Sequence, residues 1–309
     1  MTELAERIRA GDIRALARAA TAVENRRAEA EPLMRELFPH TGRALVIGVT
    51  GSPGAGKSTF CDQLARLLRR EGKTVGIIAV DPTSPYSGGA ILGDRIRMQD
   101  HHADDGVFIR SMATRGALGG LARATTDMSL LFDAAGRDVV MIETVGVGQG
   151  EVEIARLADV TIVVLVPGMG DDVQAIKAGI MEIADVFVIN KADLPGADKL
   201  EREVKSYMSL SHRPDGWTPP IVQAVANDGK GIEEALAAAR EFAASGLVER
   251  RAAEMWQFRL REMLRDRLLE RLSLEDLDAA SEDVAARRID PYSVIERCMG
   301  NLLGVEEKK

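Results

Sequence analysis

Gly51-Ser52-Pro53-Gly54-Ala55-Gly56-Lys57-Ser58-Thr59 sets glycines, one lysine and a hydroxyl at the spacing G-x-x-x-x-G-K-S. Glycines let backbone N–H groups converge on phosphate oxygens with no side chain in the way. Lys57 is placed to reach β- and γ-phosphates, and the Ser58 hydroxyl to sit on Mg²⁺. A ligand-free glycine turn is the bland alternative. The setting argues against it: a β-branched apolar run (44–50) precedes the motif and an apolar periodic stretch (60–68) follows it. Strand, loop and helix in that order add the positive end of a helix dipole to the cradle. The chain is expected to hold a nucleoside triphosphate.

A second motif speaks to the base. The short strand expected at 186–189 runs straight into Asn190-Lys191-Ala192-Asp193. A carboxylate at Asp193 can accept from both N1–H and N2–H₂ of guanine, donors that adenine does not offer there. The methylenes of Lys191 can lie on the ring face, while Asn190 can bond the base edge or brace the phosphate loop. Leaving a buried carboxylate unpaired is costly, so such a pocket rejects the wrong purine. Alone, four letters can be a solvated turn; at a strand end downstream of a phosphate loop they favour GTP.

Further acids lie at expected strand ends. Val80-Asp81-Pro82-Thr83-Ser84 places Asp81 where a carboxylate can hold Mg²⁺ through water, since that ion keeps much of its hydration. The stretch 87–98, glycine-rich and then charged, contains Asp94 and suits a loop that closes over the nucleotide. Strand 139–142 leads into Glu143-Thr144-Val145-Gly146, which resembles the D-x-x-G of many GTPases and so implies that the acid addresses the metal and the Gly146 N–H the γ-phosphate. His101-His102 is expected to be exposed rather than metal-binding, because no Cys or acidic ligand pattern accompanies it. Asp171-Asp172 beside glycine reads by itself as a helix cap, and Cys61 as a small core residue.

These residues need a scaffold. Short β-branched runs at 44–50, 74–80, 107–111, 138–143, 160–166, 185–190 and 220–225 alternate with helical stretches, which predicts an α/β fold with a mostly parallel sheet flanked by helices. Ligands of such sheets sit beyond the carboxyl ends of the strands. Three regions are expected: N-terminal helices over 1–42, the α/β domain over 43–247, and a charged helical segment over 248–309. In the last, Trp256, Leu260, Met263, Leu264, Leu268 and Leu272 form an apolar stripe at helical spacing. A net charge of −8 argues against non-specific nucleic-acid binding. Two isolated cysteines, an N-terminus without an apolar signal core and the lack of a membrane-length apolar run point to a cytoplasmic protein.

The order V-D-P-T-S, G-G-A-I-L-G-D-R-x-R-M, E-T-V-G-V-G-Q, G-D-D-V-Q-A-I-K-A-G and N-K-A-D resembles the methylmalonyl-CoA mutase-associated GTPases, the MeaB/ArgK group of P-loop GTPases. The likeness runs from Gly11-Asp12-Ile13-Arg14 to Asp290-Pro291-Tyr292. It implies that Asp81 and Asp94 serve the magnesium and first switch, that Glu143 is the second-switch acid, and that Asp171, Asp172, Gln174 and Lys177 belong to a third switch. It implies a homodimer through the C-terminal arm. It also implies GTP hydrolysis coupled to guarding an adenosylcobalamin-dependent acyl-CoA mutase, with no cobalamin held by this chain itself. Two departures stand out: Gly150 intervenes between Gln149 and Glu151, and Val225-Ala226-Asn227 replaces the Ser-Ala pair that usually closes the guanine pocket. Arg95, Arg97 and Arg115 are the candidates for an arginine finger; without one, hydrolysis is expected to be slow until a partner binds. A P-loop kinase of the transport-linked type and a metal-delivery GTPase for nickel enzymes are the competing expectations.

Overall fold

A computed structural model describes residues 1–81, 101, 104–113, 120–144, 153–168, 178–210, 213–269, 271 and 274–303. The expected Asp94, Gly146, Asp171, Asp172, Gln174 and Lys177, the candidate arginines Arg95, Arg97 and Arg115, and His102 lie outside the described residues.

Seven strands form one parallel sheet in the order β3-β2-β4-β1-β5-β6-β7. They are β1 (Leu45–Thr50), β2 (Val75–Asp81), β3 (Val107–Ala113), β4 (Val139–Glu143), β5 (Val160–Leu165), β6 (Val186–Ile189) and β7 (Ile221–Gln223). Each expected strand is present. The last is shorter than its apolar run, because Val225 leaves the ladder to bridge Lys230 across a tight turn. The β-branched residues suit a sheet covered on both faces, so the central strands β4 and β5 are buried along their whole length.

Alternation along each strand sorts the core into two faces. Val139 and Met141 join Ile47 and Val49 beneath helix α4 (Lys57–Arg70) and helix α8 (Ile232–Ala243). Val140 and Ile142 face the other way, toward α5 (Gly120–Ala134) and the N-terminal helices α1 (Glu3–Arg9), α2 (Ile13–Glu24) and α3 (Ala30–Leu37). Asp12 caps α2, its side chain accepting from the Arg14 and Ala15 amides at 2.9 and 3.0 Å. The buried stripe Leu16, Ala19, Ala20 and Val23 of α2 packs in one cluster with Leu131 and Phe132 of α5, and Arg110 on β3 pairs with Glu24. Residues 1–42 therefore share the core of the α/β layer. A third cluster, with Val163, Phe187 and Ile189 against Leu200 and Val204, includes α6 (Ala178–Glu182) and α7 (Ala197–Leu210).

The chain divides into two compact units, Met1–Ala252 and Ala253–Lys309. Within the first, Asp185, Arg213, Asp215 and Arg251 form a cluster of two acids and two guanidiniums. Arg213 reaches Asp185 at 2.9 Å and Asp215 at 2.7 Å, and Arg251 reaches Asp185 at 3.0 Å. Burial opposes ionisation of Asp215, but hydrogen bonds from Arg213 and Arg251 outweigh it and hold the carboxyl well below the usual range. Arg251 belongs to α9 (Leu247–Leu269) and also lies over the Phe242 ring at 4.8 Å. The second unit contains the rest of α9, α10 (Leu274–Ala285) and α11 (Pro291–Leu303). Leu260, Leu264 and Leu268 on α9, and Tyr292, Ile295 and Met299 on α11, are largely exposed apolar side chains at helical spacing. Among the described residues no helix is long and apolar enough to cross a membrane.

Candidate functional site

The loop between β1 and α4 leaves the sheet at Gly51, where φ is +142° and a Cβ would lie 2.1 Å from Val164 O, so that glycine alone fits. It closes at Gly56, a left-handed residue (φ +87°) that caps α4 without a side chain; a Cβ there would lie 2.4 Å from Asn190 Nδ2. The amides at the start of α4 thus face the loop interior, the arrangement that favours an anion. Pro53 and Gly54 are exposed at its tip, whereas Ala55 is buried.

Lys57 is buried at the first turn of α4. Its ammonium donates to Gly51 O at 2.9 Å and Ser52 O at 3.0 Å, so the charge is held inside the loop it would share with phosphates. Ser58 follows, also buried, and its hydroxyl donates to Glu143 Oε1 at 2.6 Å. Glu143 ends β4, the neighbour of β1, and only 4% of it is exposed. A buried carboxylate joined to a hydroxyl beside a phosphate loop is a hard-oxygen donor set, which fits Mg²⁺. The backbone of Asp81 closes β2, two strands from β1 in the sheet order. Thr59 is half-buried on the same turn of the helix.

On the far side of β5, β6 delivers Asn190. Its amide nitrogen donates to Ala55 O at 2.8 Å and its carbonyl oxygen accepts from the Ala226 amide at 3.0 Å. Of the two roles open to Asn190, the side chain takes the bracing one, joining the phosphate loop to the segment 225–227. Lys191 adopts φ +56°, uncommon for a side-chain-bearing residue, and its ammonium donates to Gly54 O at 3.0 Å. That left-handed step turns the chain so that Asp193 stands exposed. Val225, Ala226 and Asn227 follow β7 as a short turn whose buried member, Ala226, supplies the amide bonded to Asn190.

One expectation is corrected. His101 is buried rather than exposed: its Nε2 lies 2.9 Å from Asp62 Oδ1 on α4, one turn beyond Ser58. Burial opposes the charge on Asp62, but hydrogen bonds from His101 and Arg66 prevail and lower its pKa. Nothing local in the sequence signals that pairing, which spans 39 residues. A second pair that no local pattern signals is formed by two hydroxyls: Thr144 Oγ1 donates to Thr50 Oγ1 at 2.9 Å, with both residues buried. Among the described residues no cluster of three or more His, Cys, Asp or Glu side chains could hold a metal ion by itself.

The model of the methylmalonyl Co-A mutase-associated GTPase MeaB matches residues 16–276. A GTPase of Pyrococcus abyssi is 47% identical over 98% of this chain and 97% of its own length. GTPase ArgK of Escherichia coli is 43% identical over 76% of this chain and 73% of its own. Among solved structures, a LAO/AO transport system kinase is 32% identical with a TM-score of 0.72, and the match covers 97% of both chains. A parallel sheet that presents a phosphate loop and an Asn-Lys-x-Asp turn at the carboxyl ends of its strands, together with likeness over nearly the whole length, makes the protein a GTP hydrolase of the P-loop class. The chain belongs to the methylmalonyl Co-A mutase-associated GTPase (MeaB) family.

Proposed function

We propose that this GTPase is Mg²⁺-dependent and supervises an adenosylcobalamin-dependent acyl-CoA mutase, methylmalonyl-CoA mutase being the first candidate, by coupling its nucleotide state to cofactor loading and protection. The observation that carries the chemistry is the Ser58–Glu143 hydrogen bond beneath the phosphate loop; the partner rests on membership of a family described by its association with that mutase.

Phosphoryl transfer asks for position and charge rather than covalent chemistry. The backbone N–H groups of the loop Gly51–Thr59, Pro53 excepted, and the ammonium of Lys57 bind the phosphates. Lys191, Asp193 and the turn Val225–Asn227 hold guanine, with Asn190 bracing that turn against the phosphate loop. Ser58 and Glu143, with Asp81 and Asp94, would hold the metal. Bound there, Mg²⁺ neutralises charge that develops on the β- and γ-oxygens. Gly146 would sense the γ-phosphate, and Asp171, Asp172, Gln174 and Lys177 would pass the nucleotide state to the partner. The exposed apolar side chains of α9 and α11 support a homodimer through the C-terminal segment 248–309. In this reading residues 1–42 and 43–247 are the N-terminal helices and the GTPase domain, cobalamin stays with the mutase, nucleic acid and membranes take no part, and the protein works in the cytoplasm.

The test is GTP turnover by the purified protein, alone and with stoichiometric methylmalonyl-CoA mutase. A slow basal rate raised many-fold by the mutase is expected; a rate indifferent to it and to related mutases refutes the partner. The likeness to a chain described as a transport system kinase keeps a second reading in play. A phosphorylated protein or metabolite formed as GTP is consumed would establish it.

A further inference from the structure

β1 and β4 leave the sheet side by side. Val49 pairs with Glu143 in register, and the Thr144 amide donates to Val49 O at 3.1 Å as the last rung. One residue further, Thr50 hands the chain to Gly51 and the phosphate loop, while Thr144 follows the carboxylate that reaches Ser58. There the two hydroxyls meet at 2.9 Å, with Thr50 fully buried and Thr144 nearly so. Glu143 is thereby fixed from two sides: its own backbone is tied to β1, and its side chain is tied to the first turn of α4. A hydroxyl bond buried at this junction sets the distance between loop and carboxylate. Small displacements in such a place are expensive for the rate, because a reacting group moved by about 1 Å can cost on the order of 100-fold.

We propose that the Thr50–Thr144 hydroxyl pair is a positioning device for GTP hydrolysis, holding the phosphate loop and Glu143 in register without touching the nucleotide. It rests on the assignment of Ser58 and Glu143 to the metal given above, but not on the identity of the partner. Stability and rate should therefore part company. Replacing one threonine by valine leaves a buried hydroxyl without its partner, whereas replacing both removes the two polar groups together and is close to neutral for folding. A merely structural pair would recover its activity along with its stability.

The experiment measures basal GTP turnover without mutase, GDP affinity and urea stability for Thr50→Val, Thr144→Val, the double variant and Thr144→Ser. Each valine variant is expected to lose about three- to tenfold in kcat, the worth of one buried hydrogen bond, with GDP affinity within about twofold of the parent. The double variant should regain stability but not kcat, and Thr144→Ser, which keeps the hydroxyl, should behave as the parent. Unchanged kcat in Thr144→Val, or kcat that returns with stability in the double variant, overturns the proposal. Ser58→Ala assayed alongside judges the metal assignment separately: retained turnover there removes that reading, while the threonine pair still stands or falls on its own variants.

Discussion

Asp159 offers a test in which pH alone turns an effect on and off. It sits just before β5 at the amino end of the sheet and accepts from the Val46 amide at 2.8 Å. Burial raises its pKa from the ordinary 3.8 to about 6; the Val46 hydrogen bond counters this in part, and the charges of Asp133 and Glu249 reinforce it. A carboxyl whose pKa rises on folding binds its proton more tightly in the native state. Protonation therefore favours the native state fully below pH 3.8, and that advantage fades as pH climbs through about 6. The shift corresponds to a limit of about 3 kcal/mol. Because Asp159 is partly exposed, about 1–2 kcal/mol is the realistic size. Asp159→Asn keeps an oxygen for the Val46 amide and has no charge to bury. It should be more stable than the parent at pH 8 by about 1–2 kcal/mol, or about 2–6 °C in melting temperature for a unit of this size. Most of that gain should vanish by pH 4.5. Urea titrations followed by Trp217 fluorescence at pH 4.5, 6 and 8 would report it, since Trp217 packs edge-on against Phe242 in the same unit. An equal gain at all three pH values, or none at pH 8, refutes the reasoning.

Gly56→Ala places a methyl 2.4 Å from Asn190 Nδ2 at a left-handed residue. Nucleotide affinity should fall at least tenfold, by loss of the Asn190–Ala55 bond together with backbone strain of about 1–3 kcal/mol, and calorimetric titration with GDP would measure it. Asp193→Asn should weaken GTP and favour xanthosine triphosphate, whose base presents an acceptor where guanine has a donor. An unaltered ranking of the two in competition assays removes Asp193 from the base pocket.

Local patterns made the scaffold legible. β-Branched runs such as Val160–Leu165 have few other conformations available in a buried layer, and the glycine-lysine-serine spacing carries its own geometry. The sequence also brought Lys57, Ser58, Glu143 and Asn190 into consideration, and the fold gathers all four around one loop. What it could not supply were choices made by distant partners. Asn190 had two options until Ala55 and Ala226 took both ends of its amide. His101 looked solvated because Asp62, its counterpart, lies on another element. The Thr50–Thr144 bond joins residues 94 positions apart, and two threonines at strand ends carry no signature until the strands pair. Residues 1–42 read as an appended segment because an amphipathic stripe announces that it must be covered, but not by what.

That covering has a consequence in time. Glu24 pairs with Arg110, 86 residues later, and the stripe of α2 lies with Leu131 and Phe132, further on still. At about 5–20 residues per second on the ribosome, the partners arrive several seconds after α2 has been made. Contacts of such long sequence separation also form late in folding, because the loop between them must close first. Leu16, Ala19 and Val23 therefore wait several seconds in each new chain for the part of their cover that α5 supplies, and until then only the neighbouring helices α1 and α3 are there to meet them.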